Sequence, residues 1–493
     1  MISIVLAVLA IVPAPESVSE YDGFLPLTAV VEDVNDPTVG SEGYVLDVNP
    51  SGRLTVRSSS PAGRFYARKT LEQIADWRGY RCVRVVDRPR YPWRGVHIDD
   101  CRHFFGKEAV MRVIDLMSRY KMNILHWHLT EDQGWRLEIP GYPDLVKYGA
   151  VRPASPAVGA RMWWHEDESC EIKVNTEKYG PYFYTESDLR EIVAYASERQ
   201  VKVVPEIEFP GHVYAALAAY PQFACRPENL AKRTPRCIWG VEQDVLCVGN
   251  DEAVKFMENV LEYVCRIFPS DVIHIGGDEC PSARWKDCPK CQKRLRDEKL
   301  GDEHGLQAWI TRRFVKFLAD RGKRAVGWDE YLLGDGIPKD AIGMSWRLES
   351  QVTDGKWLSP SEMAVRGHDV VMTPNSHCYF DYGQGLPDDP YQYNGRCITL
   401  RKCHSFDPCE GLPNAMRRHV LGGQCNNWSE YTWDRHDLDW KMWPRTCALA
   451  EALWCGERRP AYEDFLIRMK VHRSRLLAMG VNCAPLGRQE ELK

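Results

Sequence analysis

The chain has 493 residues, 44% of them hydrophobic, so it can form one barrel-sized domain with additions or more than one ordinary domain. Its net charge of -5 and the lack of any Lys/Arg-rich run argue against nucleic acid and anionic membranes as partners. Its 17 tryptophans and 22 tyrosines are many, and such aromatic faces stack on sugar rings as well as filling cores. Composition therefore predicts a globular protein and leaves its ligand open.

Two features of the sequence predict export. Eighteen cysteines are too many for a typical cytosolic enzyme, and they predict disulfides in an oxidising compartment. Residues 1–10 hold an apolar run ending at Val8-Leu9-Ala10, which is compatible with signal-peptide cleavage although a basic leading segment is lacking. At about ten residues this run is too short to span a bilayer, so we expect a secreted or periplasmic protein.

One cysteine pair has a spacing that metal sites also use. Cys288-Pro-Lys-Cys291 matches half of the pattern of a zinc site. The chain contains no second Cys-x-x-Cys to complete it. We therefore expect these two cysteines to form a disulfide or to remain free thiols.

Residues 11–90 are predicted to form a small α+β domain. Residues 45–48 and 53–58 have the pattern of strands, and Ser51-Gly52 suits the hairpin turn between them. Apolar residues then recur at helical spacing over 64–77. No reactive groups gather here, so the expected role of this domain is to pack against the larger domain after it.

From Tyr91 the pattern changes to strands that alternate with helices, which predicts a (β/α)8 barrel over residues 91–480. The predicted strands are 94–99, 123–128, 201–206, 272–276, 324–328, 341–346, 369–373 and 419–424. The predicted helices are 107–120, 186–199, 252–267, 305–321, 436–454 and an outer helix at 461–479. The segment after Trp328 is too short for a full helix, so one barrel helix is expected to be missing. The predicted fold class is α/β, a TIM barrel preceded by the small domain.

The stretch from Val272 to Cys280 leads from a strand through two glycines to the adjacent carboxylates Asp278 and Glu279. Glycines at this point permit a sharp turn and a close approach of the backbone to a ligand. A barrel places its chemistry at the carboxyl ends of its strands. Those ends carry stacking tryptophans and charged hydrogen-bonding groups, the combination that a sugar ring needs: Arg94, Asp99, His126, His128, Glu131, Asp132, Glu206, Glu208, His212, Asp278, Glu279, Trp328, Asp329, Trp346, Arg347, Tyr379, Asp381, Trp428 and Glu430.

An ordered set of motifs at these positions resembles the family 20 glycoside hydrolases, the β-N-acetylhexosaminidases. The likeness spans residues 11–480, and the family also has a small α+β domain before its barrel. One departure is visible at Glu131-Asp132, where many members have two aspartates. The matching motifs are Arg94-Gly-Val-His-Ile-Asp99, Arg102-His-Phe, the run from Asn123 to Arg136, Pro205-Glu-Ile-Glu-Phe-Pro-Gly-His212, His274-Ile-Gly-Gly-Asp-Glu279, Gly327-Trp328, Ser345-Trp346, Tyr379-Phe-Asp381, Trp428-Ser-Glu430 and the segment from Met442 to Trp454.

The resemblance implies substrate-assisted catalysis, in which the N-acetyl group of the substrate supplies the nucleophile. Its carbonyl oxygen closes an oxazolinium ring, and the attack gains the effective molarity of an intramolecular reaction. Glu279 is expected to be the general acid and then the base, because a neighbouring negative charge and partial burial favour its protonated form. Asp278 is expected to stay ionised against the acetamido nitrogen, and Tyr379 to donate to the acetamido oxygen.

The resemblance also implies how the sugar is held. Arg94 is expected to bind the 3- and 4-hydroxyls, for which a planar fork of donors is better suited than lysine. Glu430 is expected to bind the 4-hydroxyl and Asp381 the 6-hydroxyl. His212, supported by Glu131, is expected to orient other groups. The walls of the sugar pocket are expected to be Trp328, Trp346 and Trp428.

Two other functions fit part of the sequence. A metal-dependent hydrolase could use His126 and His128 on one strand face, completed by His212, His274 and Asp278. A sugar-binding protein without catalysis would keep the aromatic pocket. We favour a retaining exo-glycosidase that uses no metal or cofactor and acts on glycans ending in β-linked N-acetylglucosamine or N-acetylgalactosamine.

Overall fold

The computed structural model describes residues 9–156, 174–352, 357–386, 389 and 396–487. Its strands are β1 (Ser17–Leu25), β2 (Val31–Asn35), β3 (Tyr44–Val48), β4 (Leu54–Ser58), β5 (Ala75–Asp76), β6 (Gly79–Asp87), β7 (Trp93–Asp99), β8 (Ile124–His128), β9 (Thr130–Glu131), β10 (Gly134–Trp135), β11 (Ser155–Pro156), β12 (Val174–Asn175), β13 (Lys202–Glu206), β14 (Val272–His274), β15 (Arg324–Trp328), β16 (Ile342–Ser345), β17 (Asp369–Met372) and β18 (Val420–Asn427).

The helices of the described residues are α1 (Pro61–Gln73), α2 (Lys107–Arg119), α3 (Glu186–Glu198), α4 (Tyr214–Ala219), α5 (Asp251–Ile267), α6 (Ala283–Asp287), α7 (Pro289–Asp297), α8 (Glu303–Ala319), α9 (Pro360–Arg366), α10 (Leu400–His404), α11 (Arg435–Met442), α12 (Arg445–Cys455) and α13 (Tyr462–Ala478). Shorter helical segments lie at Pro37–Val39, Leu145–Gly149, Pro221–Phe223, Pro227–Leu230, Asp329–Leu332, Glu349–Gln351, Arg417–His419 and Gly456–Arg458. Within these ranges, no helix is both long and apolar enough to cross a bilayer.

The first part of the chain forms one sheet in the order β1-β6-β3-β4-β2, and β5 pairs with β6. The predicted hairpin is present: β3 and β4 are antiparallel, and Gly52 between them has a φ of 96°, which a glycine adopts without strain. Helix α1 begins after Ser60, whose hydroxyl accepts from the Gly63 N–H. Strand β1 is exposed along most of its length, so no alternation of apolar residues marks it in the sequence.

The predicted (β/α)8 barrel is confirmed. Eight parallel strands close in the order β7-β8-β13-β14-β15-β16-β17-β18, and β18 pairs back to β7. Side chains fill the interior of the barrel, including Val204, Val326 and Met344. Trp328, the last residue of β15, belongs to the same cluster. Apolar faces of the surrounding helices, such as that of α5, pack against the outside of the sheet.

Two departures from helix regularity lie in the second half of the barrel. The segment between β15 and β16 holds one helical turn, Asp329–Leu332, in place of a barrel helix, as the sequence predicts. The single helix predicted over 436–454 is two helices, α11 and α12. Pro444 lies between them, and its ring and missing N–H interrupt the helical hydrogen bonding.

The small domain packs against the amino-terminal end of the barrel through buried polar contacts. Arg94, near the start of β7, donates from Nη2 to the Glu42 carboxylate at 2.8 Å and from Nη1 to the Tyr91 carbonyl at 2.7 Å. Lys121 Nζ lies 2.9 Å from Asp87 Oδ2 and 2.8 Å from the Tyr44 hydroxyl oxygen, and the lysine and aspartate side chains are fully buried. These pairs join the two domains on the side of the barrel away from its mouth.

The expected disulfides are absent from the described residues. None of the 17 described cysteines forms a disulfide with another of them, and Cys170 lies outside the described ranges. The sequence expectation was therefore wrong for these 17, because cysteine number alone does not bring sulfurs to bonding distance. The apolar run proposed as a signal peptide falls mostly on residues 1–8, which are also outside the described ranges.

Candidate active site

A cavity of about 600 Å³ opens at the carboxyl ends of the barrel strands. It contains paired carboxylates, cations and aromatic rings from different strand ends, as a barrel active site requires. Its wall includes every residue to which the family resemblance gives a role except Arg94: Glu131, His212, Asp278, Glu279, Trp328, Trp346, Tyr379, Asp381, Trp428 and Glu430. Further residues of the wall include Arg102, Glu330, Arg347, Tyr382 and Tyr431.

The two glycines after β14 create the turn that exposes the carboxylate pair. Gly276 and Gly277 have φ values of 60° and 96°, and their backbone passes close to other groups. A Cβ on Gly276 would lie 1.8 Å from the Glu208 carboxylate, and one on Gly277 would lie 2.5 Å from Tyr331 Cβ. Glu279 follows with a φ of 44°, which is strained for a residue with a side chain. Packing therefore forces this turn, and the turn directs Glu279 into the cavity.

His212 links two pairs of carboxylates. Its Nδ1 lies 2.8 Å from Glu131 Oε1 and 3.3 Å from Asp132 Oδ2, while Nε2 lies 3.5 Å from Glu279 Oε2 and 3.9 Å from Asp278 Oδ2. Burial by itself would lower the pKa of His212, but the charge of Glu131 and hydrogen bonds to the surrounding carboxylates hold this pKa well above its usual value. The imidazole is therefore a cation at neutral pH, placed to orient the carboxylate pair.

Asp278 is the buried member of the carboxylate pair. Burial raises the pKa of Asp278 to about 7 against the opposing charge of His212, and the charge of Glu279 adds to the rise. Its Oδ1 is buried and has no hydrogen-bond partner among the described residues. A buried carboxylate oxygen with no protein donor is the kind of group that a ligand N–H satisfies. Such a donor would favour the ionised form expected for Asp278.

Four aromatic rings line the cavity, and each is held by a polar contact or by packing against another ring. The Trp328 indole N–H donates to the buried Glu206 carboxylate at 2.7 Å, and the Trp346 indole N–H donates to Glu330 at 3.0 Å. Tyr379 stacks on Trp346 with ring centroids 6.2 Å apart and an angle of 19° between the planes. The fourth ring, that of Trp428, lies 5.6 Å from the Trp328 ring. The result is a rigid apolar surface of the size of a sugar ring.

The Tyr379 hydroxyl is held as a hydrogen-bond donor. Burial raises its pKa well above the usual value, so the hydroxyl stays protonated at neutral pH. Contact with the Trp428 side chain acts in the opposite direction on this pKa, but burial outweighs it. Tyr379 therefore offers a positioned donor to a ligand oxygen in the cavity.

Two more carboxyl groups and an arginine line the cavity beside the aromatic rings. Burial and then the charge of Glu430 raise the pKa of Asp381 to about 7, and its Oδ1 lacks a partner among the described residues. Arg102 forms ion pairs with Asp99 at 3.2 Å and Glu131 at 3.1 Å. Its guanidinium carbon lies 5.2 Å from the centre of the Trp428 ring. This part of the wall offers charged hydrogen-bonding groups next to the aromatic surface.

The prediction that Arg94 binds the sugar is wrong. Arg94 is fully buried near the start of β7, at the opposite end of the strand from the cavity, and Glu42 neutralises it. The arginine in the cavity wall is Arg102, which follows the carboxyl end of the same strand. The rule that barrel chemistry lies at the carboxyl ends of strands would have selected Arg102 from the sequence.

Each histidine proposed for a metal-dependent hydrolase lies in an ion-pair contact with a buried carboxylate. His126 Nε2 lies 3.0 Å from Glu206 Oε2, and His274 Nδ1 lies 2.9 Å from the other oxygen of the same carboxylate. His128 lies between two acids, with its Nδ1 3.0 Å from Asp99 Oδ1 and its Nε2 3.6 Å from Glu131 Oε2. His212 Nδ1 lies 2.8 Å from the other oxygen of Glu131. His126 and His274 therefore support Glu206, and through it Trp328, from inside the barrel.

Comparison with known proteins identifies the family to which the chain belongs. Residues 91–457 match the catalytic domain of glycosyl hydrolase family 20, and residues 15–88 match domain 2 of this family. A β-hexosaminidase of Porphyromonas gingivalis is 39% identical over 454 residues, which cover 90% of this chain and 54% of that protein, so the chain spans about half its length. A β-hexosaminidase of Akkermansia muciniphila is 32% identical over 475 residues, which cover 95% of this chain and 90% of that protein.

A solved structure extends the likeness to three dimensions. The exo-β-N-acetylglucosaminidase of Vibrio harveyi superposes with a TM-score of 0.84 at 27% identity, covering 97% of this chain and 79% of that one. Paired carboxylates and a tryptophan wall at the mouth of a TIM barrel are the groups that a glycoside hydrolase uses. The chain belongs to glycosyl hydrolase family 20, and its enzyme class is that of the β-N-acetylhexosaminidases.

Proposed function

We propose that the protein is a retaining exo-glycosidase that releases terminal β-linked N-acetylglucosamine or N-acetylgalactosamine by substrate-assisted catalysis. One observation carries the proposal: Asp278 presents a buried carboxylate oxygen without a protein donor next to Glu279. An acetamido N–H would satisfy that oxygen. The Vibrio harveyi structure is a complex with N-acetylglucosamine, which supports an aminosugar as the ligand of this pocket.

In the first step, Glu279 gives its proton to the glycosidic oxygen as the bond from that oxygen to C1 breaks. The acetamido carbonyl oxygen forms a new bond to C1 on the opposite face, which closes a five-membered oxazolinium ring. Asp278 accepts the amide N–H and balances the positive charge of the ring. Tyr379 donates its hydroxyl hydrogen to the acetamido oxygen and holds it in line with C1.

In the second step, the Glu279 carboxylate takes a proton from a water molecule as the water oxygen attacks C1. The bond from C1 to the acetamido oxygen breaks, the amide is restored, and Glu279 is again protonated. Two inversions at C1 give net retention. His212 touches no reacting atom in this scheme; its cationic ring positions both carboxylates, at 3.5 Å from Glu279 and 3.9 Å from Asp278.

Recognition of the sugar hydroxyls is assigned to the arginine and the two carboxyl groups beside the aromatic rings. Arg102 takes the role first expected of Arg94, because its guanidinium lies in the cavity wall beside Glu430. Glu430 is assigned to the 4-hydroxyl and Asp381 to the 6-hydroxyl, as the resemblance implies. Trp346 and Trp428 cover the faces of the ring. A sugar enclosed in this way is a terminal sugar, which gives exo-action.

The proposed mechanism is tested by the 2-substituent of the substrate. We expect kcat/KM for a chromogenic N-acetyl-β-glucosaminide to exceed that for the matching β-glucoside more than about a thousandfold, because the glucoside lacks the internal nucleophile. Proton NMR of the first-formed product should show the β-anomer. Equal turnover of both substrates would contradict substrate assistance. Binding of the acetamido substrate without release of the aglycone would indicate a sugar-binding protein.

The two arginines allow a matched test of sugar recognition. Arg102→Lys keeps the charge but loses the planar fork, and we expect kcat/KM to fall about 10–100-fold, as for the loss of one charge-assisted hydrogen bond. Arg94→Lys should leave kcat/KM near that of the unmodified protein and lower the melting temperature, because it weakens a contact between the domains. Steady-state kinetics and thermal unfolding measure both effects. The reverse pattern would return the sugar-binding role to Arg94.

Export of the protein is proposed on the apolar run of residues 2–10 alone, because the free cysteines remove the other reason for it. Fractionation of the native host cells, with the mature amino terminus read by mass spectrometry, tests the proposal. We expect the enzyme outside the cytoplasm and a shortened amino terminus. An intact terminus in the cytoplasmic fraction would contradict it.

A further inference from the structure

Four cysteines from the segments that follow β13 and β14 meet in one cluster. Cys225 follows the Pro221–Phe223 turn, Cys247 lies in the loop before α5, and Cys288 and Cys291 lie at the start of α7. Their ligand atoms all lie within 4.8 Å of one another. Cys247, Cys288 and Cys291 are buried, and Cys225 is half-buried. None of the four belongs to the cavity wall.

The separations of the sulfurs are those of a metal site and not of disulfides. The Sγ atoms of Cys225 and Cys291 are 3.7 Å apart, those of Cys247 and Cys288 are 3.6 Å apart, and those of Cys247 and Cys291 are 3.7 Å apart. A disulfide joins its sulfurs at about 2.05 Å. An ion bound tetrahedrally at a Zn–S distance of about 2.3 Å places its sulfurs about 3.8 Å apart. We propose that these four cysteines bind one structural zinc ion.

The backbone around the cluster is shaped to bring the sulfurs together. Ala224 and Leu246 form an antiparallel bridge, and the Cys247 N–H donates to the Phe223 carbonyl at 2.9 Å. This pairing brings the neighbouring residues Cys225 and Cys247 to one side of the loop. A Cβ on Gly249 would lie 2.2–2.4 Å from the backbone of Lys290 and Cys291, so only glycine permits this close approach.

Cys288 precedes the first residue of α7, and Cys291 lies in the first turn of this helix. Four thiolates leave no open coordination position for water or substrate, which makes the site structural and not catalytic. Tetrahedral coordination by sulfur favours zinc over hard cations such as Mg²⁺ and Ca²⁺, which prefer oxygen ligands.

The ion would clamp together the two loops that carry the catalytic groups. The first loop is the segment between β13 and α5, which contains His212, Cys225 and Cys247. Within it, the Leu246 N–H donates to the Pro210 carbonyl at 3.0 Å. The second loop is the segment between β14 and α7, which contains Asp278, Glu279 and Cys288. It contacts the first loop where the Trp285 indole N–H donates to the Leu246 carbonyl at 2.9 Å. Zinc would therefore fix the position of His212 relative to Glu279.

The test is metal analysis of the full-length protein purified without chelators or a histidine tag. Inductively coupled plasma mass spectrometry should find one zinc per chain, retained on dialysis against a weak chelator. Cys247→Ser should lose at least about nine-tenths of that zinc, because three thiolates hold the ion less tightly. The matched control is Cys237→Ser, since Cys237 lies in the same segment with its sulfur near the Pro235 carbonyl and outside the cluster. It should keep its zinc.

Two further measurements apply if Cys247→Ser does not fold. Cys225→His should keep stoichiometric zinc, because three cysteines and one histidine are also a zinc ligand set. Replacement of zinc by Co²⁺ in the unmodified protein should give the charge-transfer and visible bands of tetrahedral sulfur coordination. A metal-free protein with disulfides among these cysteines, bound iron in place of zinc, or equal zinc loss from Cys237→Ser would overturn the proposal. Full retention of zinc by folded Cys247→Ser would overturn it as well.

Discussion

Glu279→Gln is expected to lower kcat/KM for natural glycans about 10²–10⁴-fold, the contribution that a general acid makes to bond cleavage. Glutamine keeps the size of the side chain, but it cannot give a proton to the glycosidic oxygen. The loss should be much smaller in the first step for aryl substrates whose leaving group departs as a stable anion. A plot of rate against leaving-group pKa should therefore be steeper for Glu279→Gln than for the unmodified enzyme.

A carboxylate away from the cavity provides the control for Glu279→Gln. Glu198 ends α3 with its side chain 76% exposed, and Glu198→Gln should leave the kinetics unchanged. Single-turnover measurements separate the two steps and show whether the second step also slows, as it must if Glu279 activates the water. Unchanged kinetics in Glu279→Gln, or an equal loss for all leaving groups, would remove Glu279 from the role of acid.

The barrel was predictable from the sequence because its strands and helices alternate with clear spacing. Strand β15 was predicted with the observed bounds, and β14 ends at His274, before the two glycines that turn the chain. The rule that strand ends carry the chemistry then brought together His212, Asp278 and Glu279 from different strands. Arg94 was assigned wrongly because the prediction relied on the motif that contains it. Its position at the amino end of β7, away from the cavity, was not considered.

Other features depend on packing that the sequence does not display. The pKa of Asp278 rises to about 7 because the folded loops bury it, whereas the sequence shows only two adjacent acids. The cysteine cluster was missed because only Cys288 and Cys291 have a recognisable spacing. Cys225 and Cys247 reach it through the pairing of Ala224 with Leu246, a contact between segments without regular secondary structure.

Asp278→Asn is expected to lower kcat about 10²–10³-fold, because the amide cannot balance the charge of the oxazolinium ring. Ground-state binding should weaken less, since the amide oxygen still accepts the acetamido N–H. The ratio of kcat/KM for the 2-acetamido substrate to that for the plain glucoside should also fall in Asp278→Asn. Steady-state kinetics with both substrates measure these effects, and an unchanged preference would contradict the assigned role.

The same substitution is expected to stabilise the protein in a pH-dependent way. Because burial raises the folded pKa of Asp278 to about 7 above its ordinary value of about 3.9, the carboxyl contributes most stability when it is protonated, and this contribution is lost as pH rises from about 4 through 7. Asparagine is neutral throughout. Asp278→Asn should therefore raise the melting temperature more at pH 8 than at pH 4.

Asp381→Asn is the matched variant, because burial also raises the pKa of Asp381 to about 7. It should show the same pH-dependent gain in melting temperature. Its kinetic loss should fall mainly on KM, since Asp381 binds a hydroxyl remote from the reacting carbon, and the preference for the 2-acetamido substrate should survive. If both variants gained stability and lost that preference equally, the acetamido group would have no dedicated carboxylate. If neither variant gained stability at pH 8, the two carboxyls would not be buried as charged groups. Asp278 would then lack the water-free environment in which its charge best stabilises the oxazolinium ring.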